Sequence, residues 1–419
     1  MHKFKTSQGK ALWYDVRTNR ISQFDHEVEK PACPVVFFRP PTTVTTNKIS
    51  MFTIEMTQQC NLRCKYCCYS GEYRDRRVHN EHEITFEVLN DAVSFIKKYS
   101  DKEADEITVC FYGGEALLAK EKIEWFINKI SIEIDQSILF SISTNGLALT
   151  ESVIDWICGY DNILVNITID GDKTMHDANR VTLSMCGSYD KIIENLKLFK
   201  KKYPEEYDKR VRFLSTVYLW NEVLKLSDIW DNEDAIAYKY PVHISHIIPN
   251  FNDESRTYDT WQTKDNFYSK AFEAYKCGDD GILATSFKKL IDIVAHRDYG
   301  HLSNVLMVKT CFQELWSAFI NVDGDIYACE RFCGKTKVGN VLDGFDQKRM
   351  IAIVQEFTDR KNKFCSQCWA KRFCRMCLTS LNHTDEEIQK MCDMERDTID
   401  LALKYYCELK DWEYKNNKI

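Results

Sequence analysis

From Met51 onward, apolar and polar positions alternate between two periods. Short strand-like runs are separated by stretches whose apolar residues recur every three or four positions, the spacing of an amphipathic helix. Met51-Phe52-Thr53-Ile54-Glu55-Met56 precedes a predicted helix near residues 85–99, and Ile107-Thr108-Val109-Cys110-Phe111-Tyr112 precedes another near 117–132. The strand-like runs 139–143, 163–169, 211–217 and 242–248 continue the series. About six strand–helix units of this kind imply an α/β fold, with a parallel sheet whose connections are helical crossovers.

Outside that region the pattern changes. Lys10 to Val16 and Arg20 to Asp25 read as two short strands, the second entered through a Thr18-Asn19 turn. Residues 267–275 and 283–295 read as helices. Gly324 marks a turn inside a predicted hairpin, and residues 385–414 read as one long amphipathic helix. Met391, Met394, Ile399, Leu401, Leu403, Tyr406 and Leu409 supply its apolar positions. The expected segments are an N-terminal hairpin (1–50), the strand–helix body (51–250), a helical linker (251–305), a cysteine-rich region (306–395) and a C-terminal helix (396–419).

Composition narrows the class. A chain of 419 residues with 44% hydrophobic positions can bury several cores. Its 56 basic and 63 acidic residues are mixed along the chain, which predicts neither a nucleic-acid groove nor binding to an anionic membrane. The N-terminal residues lack the apolar core of a signal peptide, and no apolar run is long enough to span a bilayer, so a cytoplasmic location is expected. In that reducing compartment 18 cysteines argue for metal ligation over a disulfide scaffold. Six of them, Cys33, Cys110, Cys158, Cys186, Cys277 and Cys407, are scattered singly, whereas the rest gather near residue 60 and between 311 and 392.

The first group reads Thr57-Gln58-Gln59-Cys60-Asn61-Leu62-Arg63-Cys64-Lys65-Tyr66-Cys67-Cys68, directly after an apolar strand-like run. Three thiolates at Cys-x3-Cys-x2-Cys suit an iron–sulfur cube better than structural zinc, which takes four protein ligands. One iron then stays open. Cys68 reads as packing, and a zinc knuckle or a cluster of buried thiols is the plain alternative. Tyr112-Gly113-Gly114-Glu115 follows the second strand; paired glycines let backbone approach a ligand, and the carboxylate can pair with an amine. Ser143-Thr144-Asn145-Gly146 and Thr168-Ile169-Asp170-Gly171 follow the next two strands. His176-Asp177-Ala178-Asn179-Arg180 offers a guanidinium suited to bidentate carboxylate binding.

The second group is Cys311, then Cys329 at the exit of the Gly324 hairpin, then Cys365-x2-Cys368-x5-Cys374-x2-Cys377, and finally Cys392. Two close pairs in the quartet could also form a zinc site, although Cys311, Cys329 and Cys392 would then have no role.

Together these motifs resemble radical S-adenosylmethionine (SAM) enzymes that carry a SPASM extension, the peptide maturases, over residues 51 to about 392. The resemblance implies an open, partial (β/α)6 barrel followed by a small cysteine-rich domain. Cys60, Cys64 and Cys67 would hold a 4Fe–4S cluster that binds SAM and cleaves it reductively. SAM contacts are implied for Tyr66, Gly113, Gly114, Glu115, Ser143, Asn145, Thr168 and Arg180, with Glu115 on the amino group. Two auxiliary 4Fe–4S clusters are implied, one on Cys311, Cys329 and Cys377, the other on Cys365, Cys368, Cys374 and Cys392. Cys333 could complete the first, or that site stays open to a substrate thiolate. The family's quartet usually ends in Cys-x3-Cys, and Cys374-x2-Cys377 departs from it. Glu330 stands where related sulfatase-maturing enzymes place a proton-removing aspartate. The expected activity is a thioether or carbon–carbon crosslink in a ribosomally made precursor peptide, with flavodoxin or ferredoxin as electron donor. The alternatives are formylglycine formation in a sulfatase and an electron-transfer protein without SAM chemistry. The N-terminal strands resemble the opening of peptide-recognition elements, but Pro31, Pro34, Pro40 and Pro41 replace the helices expected next.

Overall fold

The computed structural model describes residues 1–23, 33–73, 76–236, 239, 241–246, 258–331 and 336–416. The strand–helix body forms as its pattern dictates. Strands β1 (Met51–Thr57), β2 (Glu106–Gly113), β3 (Ser137–Thr144), β4 (Ile163–Thr168), β5 (Val211–Val217) and β6 (His243–His246) lie parallel in unbroken sequence order. Ile247 and Ile248, expected to extend β6, lie outside the described residues.

Alternation along the strands fills the core. Phe52, Ile54, Phe111, Phe140, Ile142, Val165 and Ile167 are fully buried, and Phe111 stacks on Phe140 while meeting Phe126 edge-on. The crossover Phe86–Tyr99 is a helix because Leu89, Ala92, Val93 and Ile96 share one buried face. The hydroxyl of Thr85 caps its first turn by accepting from the Val88 N–H at 3.2 Å.

Two features were not evident from local pattern. The hairpin at Gly324 is present, and its first strand, Ser317–Ile320, extends the barrel sheet by pairing in parallel with β1. The sheet thereby reaches ten strands among the described residues. At the N-terminus His2–Lys5 adds a strand to Ala11–Asp15, so the predicted hairpin is a three-stranded sheet. Its second predicted strand covers Arg20–Ser22, with Phe24 and Asp25 outside the described residues. The turn before it holds Asn19 at φ 59, fixed by a 2.7 Å hydrogen bond from the Tyr14 hydroxyl.

The chain divides into two compact units, residues 43–256 with 310–352, and residues 1–42, 257–309 and 353–419. In the second, helices Trp261–Lys276 and Ile282–Ala295 share a core with the long helix Asp385–Lys415. Tyr405 of that long helix packs edge-on against Phe272 and Phe287, and its hydroxyl donates to Asp265 at 2.8 Å.

Candidate active site and cysteine centres

The carboxyl ends of parallel strands are where an α/β sheet leaves room for a ligand, and a cavity of about 420 Å³ opens there. Its wall includes Cys60, Cys64, Cys67 and all eight residues expected to contact SAM, together with Glu330. Residues separated by up to 270 positions therefore converge on one site.

The three thiols are held in a loop that is ordered by pairing. Leu62–Cys64 forms a short strand antiparallel to Arg180–Thr182, which sequence reading had not anticipated. The Leu62 N–H approaches the Cys60 sulfur at 3.4 Å. Burial pushes the bare Cys60 thiol up to about 11 and raises Cys64 as well. Cys67 is raised by its hydrogen bond with Cys68, and that same bond brings Cys68 down to about 7. A bound cation reverses these tendencies by deprotonating its thiol ligands.

The paired glycines have a different first duty from the one the sequence suggests. A Cβ on Gly114 would stand 1.9 Å from the Gln59 carbonyl oxygen, and one on Gly113 2.3 Å from that of Thr57. Their bareness lets the end of β2 lie against the chain leading into Cys60. The N–H groups of Gly114 and Glu115 then donate to the Thr57 and Gln59 carbonyls, each at 2.8 Å. The Cys60 loop is thus pinned to the sheet by backbone.

Glu115 is 1% exposed. Its Oε1 accepts from the Thr144 hydroxyl at 2.7 Å and the Leu117 N–H at 3.2 Å, and its Oε2 from the Asn145 N–H at 2.7 Å. Burial raises its pKa against these donors. A carboxylate offers about four acceptor positions, so Oε2 retains one for a ligand amine. The Asn145 side chain donates to Asn61 Oδ1 at 2.7 Å and lies 4.0 Å from the Cys60 sulfur. Ser143 and Thr168 line the cavity from the ends of β3 and β4.

A buried charge network closes the far side. The Tyr66 hydroxyl donates to Asp170, Arg180 Nη1 donates to Tyr66 at 2.8 Å, and the Thr216 N–H donates to Asp170 at 2.8 Å. Arg180 and Asp170 stand 3.7 Å apart. The Arg180 Nε is buried without a hydrogen-bond partner among the described residues, an orphan donor of the kind a ligand carboxylate satisfies.

Behind it, His176 fixes both partners. Its Nδ1 accepts from the Asp170 N–H at 3.3 Å and its Nε2 donates to Ser188 at 3.0 Å, whose hydroxyl donates to the Arg180 carbonyl at 2.8 Å. Burial lowers the His176 pKa from 6.5 to about 2. As pH falls through 6.5 the unfolded chain takes a proton that the native state refuses, so stability present above that pH is lost below it. Going from pH 7 to pH 5 is expected to remove about 2 kcal/mol through this residue. Urea titrations of the anaerobic protein should show a shallower acid slope for His176→Asn than for the parent chain.

Glu330 reaches the same cavity, with its carboxylate 3.8 Å from Arg331 Nε and its side chain 37% exposed. His79, whose Nε2 lies 3.5 Å from the Cys67 sulfur, also lines the cavity, as do Arg76, Arg331, His243 and His246. None had been singled out: they sit on loops or on the short strand β6, where local pattern carries no signal.

Of the second cysteine group, Cys365, Cys368, Cys374 and Cys392 lie close enough for their charges to interact. Cys365 is pushed up to about 12 by burial, with the other three thiols adding to the rise. Arg375 grips Glu395 through its backbone N–H and two guanidinium nitrogens at 3.0–3.1 Å, tying the Cys374 loop to the helix that carries Cys392. Cys377 belongs to the same unit, and its exposed sulfur lies 3.1 Å from the Thr379 hydroxyl. Cys311 and Cys329 fall in the barrel unit, and Cys333 lies outside the described residues. No three His, Cys, Asp or Glu side chains among the described residues converge tightly enough for a single metal ion.

Residues 54–216 match the family model described as the Radical SAM superfamily, so the chain carries a radical SAM domain. Enzymes that carry this domain use a 4Fe–4S cluster and SAM. The three cavity-lining thiols, the orphan Arg180 Nε and the spare Glu115 lone pair fit those two groups. Among curated proteins the chain is similar to the cysteine-type anaerobic sulfatase-maturating enzyme of Clostridium novyi, 27% identical over 78% of this chain and 87% of that one. It also resembles the radical SAM cyclopropyl synthase TigE of Paramaledivibacter caminithermalis, 24% identical over 72% of this chain and 61% of that one. The solved structure of anSMEcpe with bound AdoMet and Cp18Cys peptide shares the fold, with a TM-score of 0.63 and 19% identity over 87% of this chain and 99% of that one. The fold is accordingly a radical SAM barrel with a SPASM extension. No helix among the described residues is long and apolar enough to cross a membrane.

Proposed function

We propose that the enzyme takes a hydrogen atom from an unactivated C–H bond of a ribosomally made peptide, installing a thioether or carbon–carbon crosslink. The observation that carries this reading is the convergence of Cys60, Cys64, Cys67, the eight expected SAM contacts and Glu330 on one cavity. With cluster and SAM bound, reductive cleavage of the sulfonium supplies a 5′-deoxyadenosyl radical. Within this reading, Arg180 Nε holds the SAM carboxylate and Glu115 Oε2 its amine, while Tyr66, Gly113, Gly114, Ser143, Asn145 and Thr168 shape the remaining contacts. Glu330 receives the proton that the substrate must lose when its carbon radical gives up one electron and closes a new bond. Cys365, Cys368, Cys374 and Cys392, and Cys311, Cys329 and Cys377 with Cys333 as candidate fourth ligand, would hold the two centres that accept that electron.

A second reading, formylglycine formation in a sulfatase, is favoured by the extent of similarity to sulfatase-maturating enzymes and by the position of Glu330. Anaerobically reconstituted protein with dithionite and SAM should release 5′-deoxyadenosine. Mass spectrometry of candidate peptides then separates the readings. Loss of two hydrogens with sulfur retained marks a crosslink, and replacement of the cysteine thiol by an aldehyde marks sulfatase maturation. Retained sulfur in every peptide would sink the second reading. Glu330→Gln is expected to slow peptide product formation by roughly 10²–10⁴-fold while 5′-deoxyadenosine release persists. Equal loss of both would remove Glu330 from the proton-accepting role.

A further inference from the structure

His79 stands twelve residues beyond Cys67, and its ring Nε2 lies 3.5 Å from the Cys67 sulfur. Both ends of that contact are fixed by backbone. Cys67 sits in a turn closed by its own N–H on the Cys64 carbonyl and by the Ser70 N–H on the Cys67 carbonyl, each at 3.0 Å. The His79 N–H donates to the Tyr69 carbonyl at 3.1 Å. The residues that follow are clipped to the chain entering Cys60: Asn80 Nδ2 donates to Gln58 Oε1 at 2.6 Å, and the His82 carbonyl accepts from the Gln58 N–H at 2.7 Å. The imidazole meets the Tyr69 ring edge-on, with centroids 6.5 Å apart. On Tyr69 lies the Arg77 guanidinium, 3.6 Å from the ring centre and paired with the buried Glu55 of β1. Loop and sheet together therefore set where Nε2 points.

The chemistry of the two atoms sets the direction of the hydrogen bond. A thiolate that ligates a metal has lone pairs and no proton, so Nε2 must be the donor. Nδ1 is buried without a hydrogen-bond partner among the described residues, which leaves the Cys67 sulfur as the acceptor for the ring's proton. Cys68 also bonds to this sulfur, but a thiol is a weak donor. At Cys60 the comparable donor is the Leu62 N–H, at 3.4 Å, which belongs to the backbone. At Cys67 it is a side chain, which substitution can remove. Hydrogen bonds to the sulfurs are one of the terms that set an iron–sulfur potential. A donor stabilises the reduced state, which carries one more negative charge, over the oxidised one.

We propose that His79 is a positioning residue for the Cys60–Cys64–Cys67 centre: its Nε2–H donates to the Cys67 sulfur and raises the potential at which that centre accepts its electron. The inference rests on the reading of these three thiols as the site of the SAM-binding cluster. One electron enters, supplied by dithionite in the test, and no covalent bond forms or breaks.

The test is a redox titration of the anaerobically reconstituted, SAM-free protein, followed by electron paramagnetic resonance, with iron and sulfide measured in each variant. His79→Phe keeps a ring against Tyr69 and removes the donor. Its midpoint should fall by about 59 mV or more, a tenfold smaller ratio of reduced to oxidised centre at a fixed potential. His79→Gln, whose amide N–H has similar reach, should recover most of that shift. The parent chain provides a check that needs no substitution at this position: with ¹⁵N-histidine incorporated, spin-echo spectra of the reduced centre should show an imidazole nitrogen coupling that changes with the isotope. An unchanged midpoint in His79→Phe, equal shifts in His79→Phe and His79→Gln, or no histidine coupling in the parent would overturn the proposal alone. The signal is assigned by its loss in Cys60→Ala/Cys64→Ala/Cys67→Ala; a signal that survives there overturns the reading of the site, and the proposal with it.

Discussion

Gly114→Ala is expected to lower 5′-deoxyadenosine release by roughly 100-fold or more, equivalent to about 2.7 kcal/mol, and to reduce the iron retained by the Cys60 loop. An added Cβ would sit 1.9 Å from the Gln59 carbonyl oxygen, with Gln59 and Gln58 backbone carbons at 2.5 and 3.1 Å. Those are main-chain atoms, which cannot rotate aside as a side chain can. The chain immediately before Cys60 must therefore move, and with it the hydrogen bonds from Gly114 and Glu115 that register the loop on β2. A displacement of about 1 Å at a reacting centre is enough to cost two orders of magnitude. Gly300→Ala serves as the control, because an added Cβ there meets nothing within 4 Å. Iron and sulfide analysis alongside nucleoside release checks the expectation; full activity in Gly114→Ala would show that the loop does not need this close approach.

The second large effect is expected at Asp170. Its carboxylate is 2% exposed and Arg180 6%, so removing one charge leaves the other buried and uncompensated. Breaking such a pair typically costs 3–5 kcal/mol. Asp170→Ala also abandons the Thr216 N–H and the Tyr66 hydroxyl, which joins the Cys60–Cys67 loop to the end of β4. Urea unfolding should register the full loss in Asp170→Ala and a smaller one in Asp170→Asn, which keeps an acceptor for Thr216. The double variant Asp170→Ala/Arg180→Leu should recover part of the stability, since no unpaired charge remains, yet it should not recover SAM binding. Recovery of both would mean that Arg180 contributes only structure.

Much of this architecture was legible along the chain. The six barrel strands and the helices at Phe86–Tyr99, Lys120–Glu133 and Asp385–Lys415 announce themselves through periodicity, because each buries one face against a neighbour met a few residues later. The cysteine spacing, Gly113-Gly114-Glu115 and Arg180 were likewise visible, because each motif is local and sits just after a strand. The reason for the glycines was not visible: the backbone they approach is that of Thr57 and Gln59, more than fifty positions away.

The sequence by itself determined the barrel strands and the spacing of the thiols that follow them, since strand period, helix period and thiol spacing are properties of neighbouring residues. Tertiary structure alone decided which side chains share the cavity. His79, Arg76, Arg331, His243 and His246 enter it from loops and from β6, and Leu62–Cys64 finds its partner at Arg180–Thr182. It also decided that Ser317–Ile320 lies against β1, and that Val35, Phe37, Val305 and Met307 meet on one exposed face. Such pairings are set by hydrogen bonding and packing between segments far apart in the chain, and the residues on either side of each contact carry no mark of it until the chain has folded.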